Sequence, residues 1–279
     1  MYVSSKPCIL QQNDFGGDGA ILIGVCKSVD PELESYVAGG LPRFDIPRAS
    51  ASLENKIRYW PDGTVFVSVV DPGVGTDRRS CVAKLKNGGY VVTPDNGTLT
   101  LQVAGKQISE VRRIDEAANR LPGSGESEIY HGRDLFAYTA ARLASGQLPF
   151  EEVGPAYPVE EIVTYELDYG KVDDEGAHGY ISGCMQTFGN LETNIRIRDF
   201  ESLGIPQGSM VRIVIRQGAR ACFEGQVLYH KSFGFASPGG EIFYNSSTGF
   251  MGLGLNKENF MERYGVGVGK EWTIDVTPL

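Results

Sequence analysis

The chain has 279 residues, of which 41% are hydrophobic and 22% charged, and its formal net charge is −9 at pH 7. This composition is that of a globular protein of one or two domains, and it excludes wholesale disorder. The negative charge repels a polyphosphate backbone, so nucleic acid is not an expected partner. No apolar run approaches the about 18 residues of a membrane span, and the first residues lack a secretory signal pattern. We therefore expect a cytoplasmic protein with no membrane partner.

The cysteine and histidine residues do not form the pattern of a metal site. The five cysteines are scattered and never form a C-x-x-C pair, which favours buried free thiols over disulfides or zinc ligands. The three histidines, His131, His178 and His230, are too far apart in the sequence to form a metal motif. We expect no bound metal.

The first part of the chain alternates between strand and helix patterns. Residues 64–70 form a continuous, largely β-branched run, which is typical of a strand buried on both faces of a sheet. Residues 134–144 have side chains at helical spacing and predict a helix. The other predicted elements are strand 9–12, helices 20–29 and 49–59, a hairpin over 81–93, and a helix beginning within 99–103. This alternation predicts an α/β domain, to which we assign residues 1–168.

The pattern changes after this domain. Residues 169–176 combine glycines with an acidic run and are predicted to be a linker. Beyond them, short alternating segments are bounded by glycine, at 179–185, 210–216, 225–230, 241–244 and 272–276. This pattern predicts an all-β domain over residues 177–279, either a small barrel or a sandwich.

Three polar clusters stand where α/β sheets collect their ligand-binding loops. They are Asn13-Asp14, Asp71 to Arg79, and His131 to Asp134. Each has a structural explanation by itself, because an aspartate often caps a turn or a helix and a lone histidine is more often structural than catalytic. Together, an acid, an arginine and a histidine can orient and polarise a water molecule.

Five motifs follow one another along nearly the whole chain. They are Val70 to Gly75 with Arg78-Arg79, Pro94 to Gly97, His131 to Asp134, Phe188 to Asn190 with Thr193 to Ile195, and Asn245 to Gly249. In this order and spacing they resemble the S-adenosyl-L-methionine hydroxide adenosyltransferase family, the relatives of the fluorinase and chlorinase that depend on S-adenosylmethionine (SAM). Five motifs in one order are far more specific than any one of them.

The resemblance implies an N-terminal α/β domain followed by an all-β barrel domain. It also implies a homotrimer with active sites between neighbouring subunits. Water or hydroxide would attack the 5′ carbon of SAM and release adenosine and L-methionine. SAM is then the substrate, and no metal or other cofactor is expected.

The family's site residues fall on particular positions of this sequence. The water-activating triad corresponds to Asp71, Arg78 and His131. The substrate-binding residues correspond to Asp14 at the ribose diol, Asp18 at the ammonium group, Phe188 and Asn190 at the adenine, and also Asn96 and Ser247. The carboxylate that is usual before Phe188 falls here on Met185 or Gln186, so a substrate with a different sulfonium arm stays open.

Two other functions are compatible with the sequence. A chlorinase-like halogenase would bind the same nucleoside, and Gly132 would leave room for a halide. The halogenases, however, lack the full triad that Asp71, Arg78 and His131 form here. A non-catalytic binder of SAM or adenosine would need the nucleoside contacts but not the triad. Hydrolysis of SAM is therefore the leading hypothesis.

Overall fold

Two structural units follow one another along the chain, the first ending at Glu166 and the second beginning at Leu167. The computed structural model describes residues 6–16, 19–185 and 187–279, so Asp18 and Gln186 lie outside the described residues. None of the helices in these ranges is long and apolar enough to cross a membrane.

The N-terminal unit is built on a mixed sheet of seven strands. The strands are β1 (Ile9–Asn13), β2 (Ser35–Ala38), β3 (Val65–Val69), β4 (Ser80–Leu85), β5 (Tyr90–Pro94), β6 (Ile108–Arg113) and β7 (Ala156–Tyr157). Their order in the sheet is β2-β1-β3-β5-β4-β6-β7. The first four neighbours run parallel, and β4, β6 and β7 are added antiparallel. The parallel strands therefore share one carboxyl edge.

Helices cover both faces of this sheet. They are α1 (Gly19–Val29), α2 (Ile46–Tyr59), α3 (Thr100–Ala104), α4 (Glu116–Asn119) and α5 (Tyr138–Ala144). Val65 and Val67 of β3 belong to the core that includes residues of α1 and α5, whereas Phe66 belongs to the core that includes α2. Every residue of β3 is buried, which explains its almost unbroken apolar run. The predicted α/β architecture is confirmed for this unit.

The helix predicted over 134–144 begins two residues earlier and has an irregular first part. Gly132–Ala137 forms a π-helical turn that continues into α5. Asp134 in this turn is fully buried and accepts hydrogen bonds from Arg133 Nε at 2.5 Å and Arg133 Nη2 at 3.0 Å. Wide turns of this kind are rare and occur frequently at functional sites. This one directly follows His131.

The C-terminal unit is a closed β-barrel. Its strands are β8 (Lys171–Asp173), β9 (Gly176–Met185), β10 (Asn190–Arg196), β11 (Met210–Gln217), β12 (Arg220–Tyr229), β13 (Glu241–Asn245), β14 (Phe250–Leu255) and β15 (Gly269–Pro278). The order β10-β14-β13-β12-β11-β15-β9 closes because β9 also pairs with β10, and β8 is added on β9. Two short helices, α6 (Ile197–Glu201) and α7 (Phe260–Tyr264), lie between strands. Of the two all-β folds that the sequence leaves open, the structure has the barrel.

The segment 169–176, predicted to be a linker, is instead part of the barrel sheet. It contains β8 and the first residue of β9. Asp173 Oδ1 accepts hydrogen bonds from Glu175 N at 2.9 Å and from Gly176 N at 3.2 Å. The acidic run therefore makes a tight hairpin turn, because an aspartate that accepts from backbone amides two and three residues later stabilises such a turn. The boundary between the units lies at Glu166, two residues before the predicted end of the first domain at 168.

The barrel core is apolar and rich in aromatic rings. The ring of Phe200 contacts those of Tyr229 and Phe243 at centroid distances of 5.0 and 5.1 Å, in edge-to-face geometry. All three side chains are buried. Edge-to-face contacts between aromatic rings stabilise a core beyond the effect of the buried area alone.

Candidate active site

A cavity of about 290 Å³ lies in the N-terminal unit, at the carboxyl ends of β1 and β3 and beside the turn that precedes α5. Three predicted site residues line it: Asp14, Asp71 and His131. The rest of the lining is mostly apolar, with Phe15, Phe44, Val69, Val74, Ile129, Tyr130 and Gly132. An apolar cavity with a few convergent polar groups is the usual form of a small-molecule site. The carboxyl edge of parallel strands is its usual place in an α/β fold.

The loop after β3 brings an arginine back onto an aspartate. The loop turns at Gly73, whose carbonyl accepts a hydrogen bond from Thr76 N at 3.2 Å. Arg78 Nε then donates to both carboxylate oxygens of Asp71, each at 3.0 Å, and Arg78 Nη2 donates to Asp71 Oδ2 at 2.6 Å. The side chains of Arg78 and Asp71 are only 10% and 5% exposed. A two-point pair with so little water around it is stronger than an exposed ion pair.

His131 contacts the same arginine from the other side. Its side chain is 3% exposed, and its Nδ1 lies 2.9 Å from Arg78 Nη2. The Arg78 guanidinium also lies over the ring of Phe136, at 5.5 Å from the centroid. The three residues predicted to form the water-activating triad are therefore brought together, with Arg78 between Asp71 and His131.

The hydrogen bonds indicate which group can accept a hydrogen bond from water in the cavity. Among the described residues, Asp71 Oδ1 accepts only from Arg78, so this oxygen keeps a lone pair for a water molecule. His131 has partners at both ring nitrogens, since Glu128 Oε2 lies 3.1 Å from its Nε2. In this arrangement Asp71 is therefore the group with a free position for a hydrogen bond from water.

Two charged residues that the sequence does not single out lie behind His131. Arg120 Nη2 donates to Glu128 Oε2 at 2.5 Å and lies 3.2 Å from His131 Nε2. Hydrogen bonds from His131 and from Arg120 lower the pKa of the Glu128 carboxyl. The sequence signal for this contact is weak: it is the spacing of three residues between Glu128 and His131.

Asp14 enters the cavity from the end of β1. Its Oδ2 accepts a hydrogen bond from Phe44 N at 2.8 Å. Phe44 has a φ of 63°, a left-handed conformation that is uncommon for a bulky residue. One carboxylate oxygen of Asp14 is thus fixed to the backbone, and the other can accept a hydroxyl hydrogen from a ligand. Its predicted companion Asp18 lies outside the described residues.

The space beside Gly132 is occupied by a neighbouring ring. A Cβ atom at Gly132 would lie 3.0 Å from Phe15 Cζ and 3.6 Å from Val69 Cγ1. The glycine therefore allows close packing of Phe15 against the start of the π-helical turn. This finding weakens the interpretation that Gly132 leaves room for a halide.

Asn96 does not line the cavity. Its Nδ2 donates to Val70 O at 2.8 Å, and its Oδ1 accepts from Thr98 Oγ1 at 2.9 Å. The amide thus ties the turn after β5 to the residue that precedes Asp71. In this structure Asn96, predicted to bind substrate, supports the loop that carries Asp71.

In the barrel, Phe188 and Asn190 lie close together. Phe188 is 60% exposed in the turn between β9 and β10, and Asn190 is the first residue of β10. Gly189 between them has a φ of 68°, and a Cβ atom there would overlap Asn259. The turn therefore requires glycine and leaves the Phe188 ring accessible, as a stacking contact to a planar ligand requires.

Ser247 lies away from these two residues. It is in the turn between β13 and β14, and the register pairs Phe250 of β14 with Arg196 at the far end of β10. That end is separated from Asn190 by about 20 Å, at about 3.3 Å per residue. The structure does not bring Ser247 next to Phe188 and Asn190.

The expectation of buried free thiols holds for Cys26 and Cys81, whereas Cys8, Cys184 and Cys222 are partly exposed. All five are free, and burial raises the pKa of the Cys81 thiol to about 12. Within the ranges that the structure describes, no three His, Cys, Asp or Glu side chains are grouped so as to hold a metal ion.

Comparison with known proteins places the chain in one family. Residues 9–154 match the N-terminal domain of the SAM hydroxide adenosyltransferases, and residues 186–273 match their C-terminal domain. A relative from Thermus thermophilus named (R)-S-adenosyl-L-methionine hydrolase is 34% identical, over 82% of this chain and 83% of the relative. A fluorinase from Nocardia brasiliensis is 26% identical over 95% of each chain.

A solved structure has the same fold over nearly the whole chain. It is that of an uncharacterised conserved protein from Thermotoga maritima, with a TM-score of 0.83 and 30% identity over 96% of this chain and 99% of the other. The two domain matches, the 34% identity to a hydrolase and the shared fold agree. The chain belongs to the SAM hydroxide adenosyltransferase family.

Proposed function

We propose that the protein hydrolyses SAM to adenosine and L-methionine by attack of water or hydroxide at the 5′ carbon. The observation that carries this proposal is the contact of Asp71, Arg78 and His131 at an apolar cavity. Greater identity to the hydrolase than to the fluorinase, 34% against 26%, supports the same choice.

The reaction balances without a further reactant. The water oxygen forms a bond to the 5′ carbon while the bond from that carbon to the sulfonium sulfur breaks and its electron pair stays on sulfur. Methionine leaves as a neutral thioether, and one proton leaves the attacking oxygen. Because the sulfonium is already a good leaving group, we propose that the reaction requires no metal or other cofactor. An apolar cavity favours the approach of a hydroxide-like oxygen to a sulfonium, since their charges cancel in the transition state.

The roles follow from the hydrogen bonds. Asp71 accepts a hydrogen bond from the attacking water and then its proton, because it lines the cavity and its Oδ1 has no partner but Arg78 among the described residues. Arg78 orients that carboxylate through its Nε, 3.0 Å from both carboxylate oxygens, and its Nη2, 2.6 Å from Oδ2. His131 holds the guanidinium from the opposite side.

For the substrate, we propose that Asp14 binds the ribose hydroxyls and that Phe188 and Asn190 contact the adenine. Asp18 remains the predicted partner of the ammonium group. Asn96 contributes by supporting the loop of Asp71, and Ser247 remains a prediction.

We further propose a homotrimer in which the active sites form between neighbouring subunits. The proposed ligand groups are divided between the two units, with Asp14 and Asp71 in one and Phe188 and Asn190 in the other. A cytoplasmic location remains a prediction from the sequence. Light scattering measures the assembly directly, and a monomer with full activity would contradict this part of the proposal.

The test is to incubate the protein with SAM in ¹⁸O-labelled water, with and without chloride or fluoride, and to analyse the products by chromatography and mass spectrometry. We expect adenosine labelled at its 5′ oxygen, an equal amount of methionine, and a rate that does not depend on halide. The relative's name specifies the (R) form of SAM, so both sulfonium epimers are to be supplied. Formation of a 5′-halogenated adenosine would establish the halogenase alternative, and binding of SAM without any product would establish the non-catalytic one.

A further inference from the structure

The contacts of His131 restrict which of its ring nitrogens carries a proton. Arg78 Nη2 lies 2.9 Å from Nδ1. A guanidinium has only donors, so this contact is a hydrogen bond only when Nδ1 is the bare, accepting nitrogen. In a neutral ring the proton is then on Nε2. The arginine that orients Asp71 therefore requires one particular tautomer of the histidine.

Glu128 is the acceptor that this tautomer needs. Its Oε2 lies 3.1 Å from His131 Nε2, and Arg120 Nη2 lies 3.2 Å from the same nitrogen. A protonated Nε2 can donate to a carboxylate but not to a guanidinium. Arg120 Nη2 also donates to Glu128 Oε2 at 2.5 Å. Arg120 therefore acts on Glu128, and Glu128 acts on the histidine.

These contacts belong to a closed circuit of hydrogen bonds and ion pairs between six side chains. Its members are Arg78, Ser80, Glu116, Arg120, Glu128 and His131. Arg78 Nη1 donates to Ser80 Oγ at 2.5 Å, and Ser80 Oγ donates to Glu116 Oε1 at 2.8 Å. Glu116 Oε2 lies 3.7 Å from Arg120 Nη2, which completes the circuit. Each member thus has a partner on both sides within this circuit.

We propose that Glu128, held by Arg120, is a positioning residue that fixes His131 as the Nε2–H tautomer, so that Nδ1 accepts from Arg78 and keeps its guanidinium on Asp71. The effect on turnover rests on the proposed hydrolase function, whereas the tautomer does not. Glu128, whose side chain is 59% exposed, thereby determines the tautomer of His131, whose side chain is 3% exposed.

The tautomer is measured by ¹⁵N NMR of the histidine side chains, since a bare and a protonated ring nitrogen have well-separated shifts. The signal of His131 is assigned by its absence in a His131→Ala variant. We expect the Nε2–H form in the parent protein and a loss of that form in Glu128→Ala. The matched control is Glu126→Ala, which removes a carboxylate from the same exposed loop and is expected to leave the tautomer unchanged. A parent protein with the proton on Nδ1, or a Glu128→Ala variant with the parental tautomer, would overturn the proposal.

The kinetic test separates positioning from binding. We expect kcat for SAM to fall about tenfold in Glu128→Ala, the lower end of the effect of one charge-assisted hydrogen bond because Glu128 is partly exposed, while KM stays within about twofold. Glu128→Gln keeps an acceptor oxygen and is expected to recover most of the rate. A Glu128→Gln variant as slow as Glu128→Ala, or a Glu128→Ala variant with parental kcat, contradicts the positioning role. If the parent itself does not turn over SAM, the proposed function fails while the NMR result still decides the tautomer.

Discussion

The interiors of the two units differ in polarity. In the described part of the barrel, the buried polar side chains are Thr193 and Asn194, whereas the N-terminal unit buries many. Several of these lie at or near the carboxyl ends of its strands, among them Asn13, Thr93 and Asp95. The barrel is held together by apolar and aromatic packing.

This difference indicates that the two units contribute differently to chemistry and to stability. Buried polar groups cost free energy unless they are hydrogen-bonded, so a unit that keeps them gains something other than stability from them. In the N-terminal unit one of them, Ser80, accepts a hydrogen bond from Arg78 Nη1 at 2.5 Å and so helps to position the guanidinium that holds Asp71. In the barrel the apolar core supports the strands and turns, and of the residues proposed to contact the adenine, Phe188 is in the turn after β9 and Asn190 is the first residue of β10. Changes inside the first unit should therefore affect chemistry, and changes inside the second should affect stability.

The largest effect on activity is expected for Asp71→Asn. The amide keeps the size of the side chain but accepts protons poorly, so kcat is expected to fall by about a hundredfold or more. Arg78 keeps Ser80 Oγ and His131 Nδ1 as acceptors, and we expect the fold to persist. Single-turnover kinetics measures the rate of the chemical step, and circular dichroism measures whether the fold persists. Asp77→Asn, an exposed change in the same loop, is the control, and parental turnover in Asp71→Asn would remove Asp71 from the mechanism.

The next effect is on stability, in the barrel core. Phe243→Ala removes a buried ring that packs on Phe200 and Tyr229, and the loss is expected to be about 3–5 kcal/mol of unfolding free energy. Urea denaturation measures it. Phe235→Ala, at a ring that is 52% exposed, is the matched control and is expected to cost much less. Equal effects of the two variants would show that the barrel does not depend on its aromatic core.

The smallest effect is expected on the pH dependence of stability, and it involves His178 in the barrel. A hydrogen bond to Asp275, at 2.8 Å from Nδ1, raises the pKa of His178, and Asp173 at 3.5 Å acts in the same direction. The other charged groups nearby are Arg216, which pairs with Asp275, and Lys171, which is opposite His178 in the register. A histidine with a raised pKa in the folded state stabilises the fold fully below its unfolded pKa, and the contribution is lost as pH rises through the folded value.

His178→Gln is therefore expected to destabilise the protein more at about pH 5.5 than at about pH 8.5, by less than about 1 kcal/mol because the pair is partly exposed. Urea denaturation at both pH values, with His230→Gln as the control, gives the difference. A penalty that grows with pH would mean that His178 is not held in its charged form.

The sequence predicts a strand well where the strand's own side chains are apolar and buried on both faces of the sheet. The run at 64–70 is largely apolar because both faces of β3 are covered, and such a run predicts a buried strand without further information. Strand β14 is not predicted, because two of its six residues are glycines. A Cβ atom at Gly252 would lie 2.6 Å from Tyr244 Cζ, and one at Gly254 would lie 2.6 Å from Asn190 Oδ1. Side chains of neighbouring strands fill these spaces, and that information is not contained in the strand itself.

For the candidate site, too, the sequence predicts some contacts and not others. The motifs predict that Asp71, Arg78 and His131 meet, since each stands at or near the end of an element. They do not predict Glu128, whose contact with His131 depends on the path of an irregular loop. Nor do they predict that the Asn96 amide turns to the Val70 carbonyl, because the direction of a side chain in a turn depends on its tertiary neighbours.

The edges of the sheets have a consequence for behaviour at high concentration. The strands at the two edges of the N-terminal sheet have four residues (β2) and two residues (β7). The barrel closes on itself, and β8, which lies outside the ring, has three residues. Long free edges are the templates on which chains pair and aggregate, and the described part of the chain keeps its edges short. We therefore expect the short edges to limit aggregation by strand pairing independently of the charge of −9, and so also at ionic strengths that screen charge repulsion.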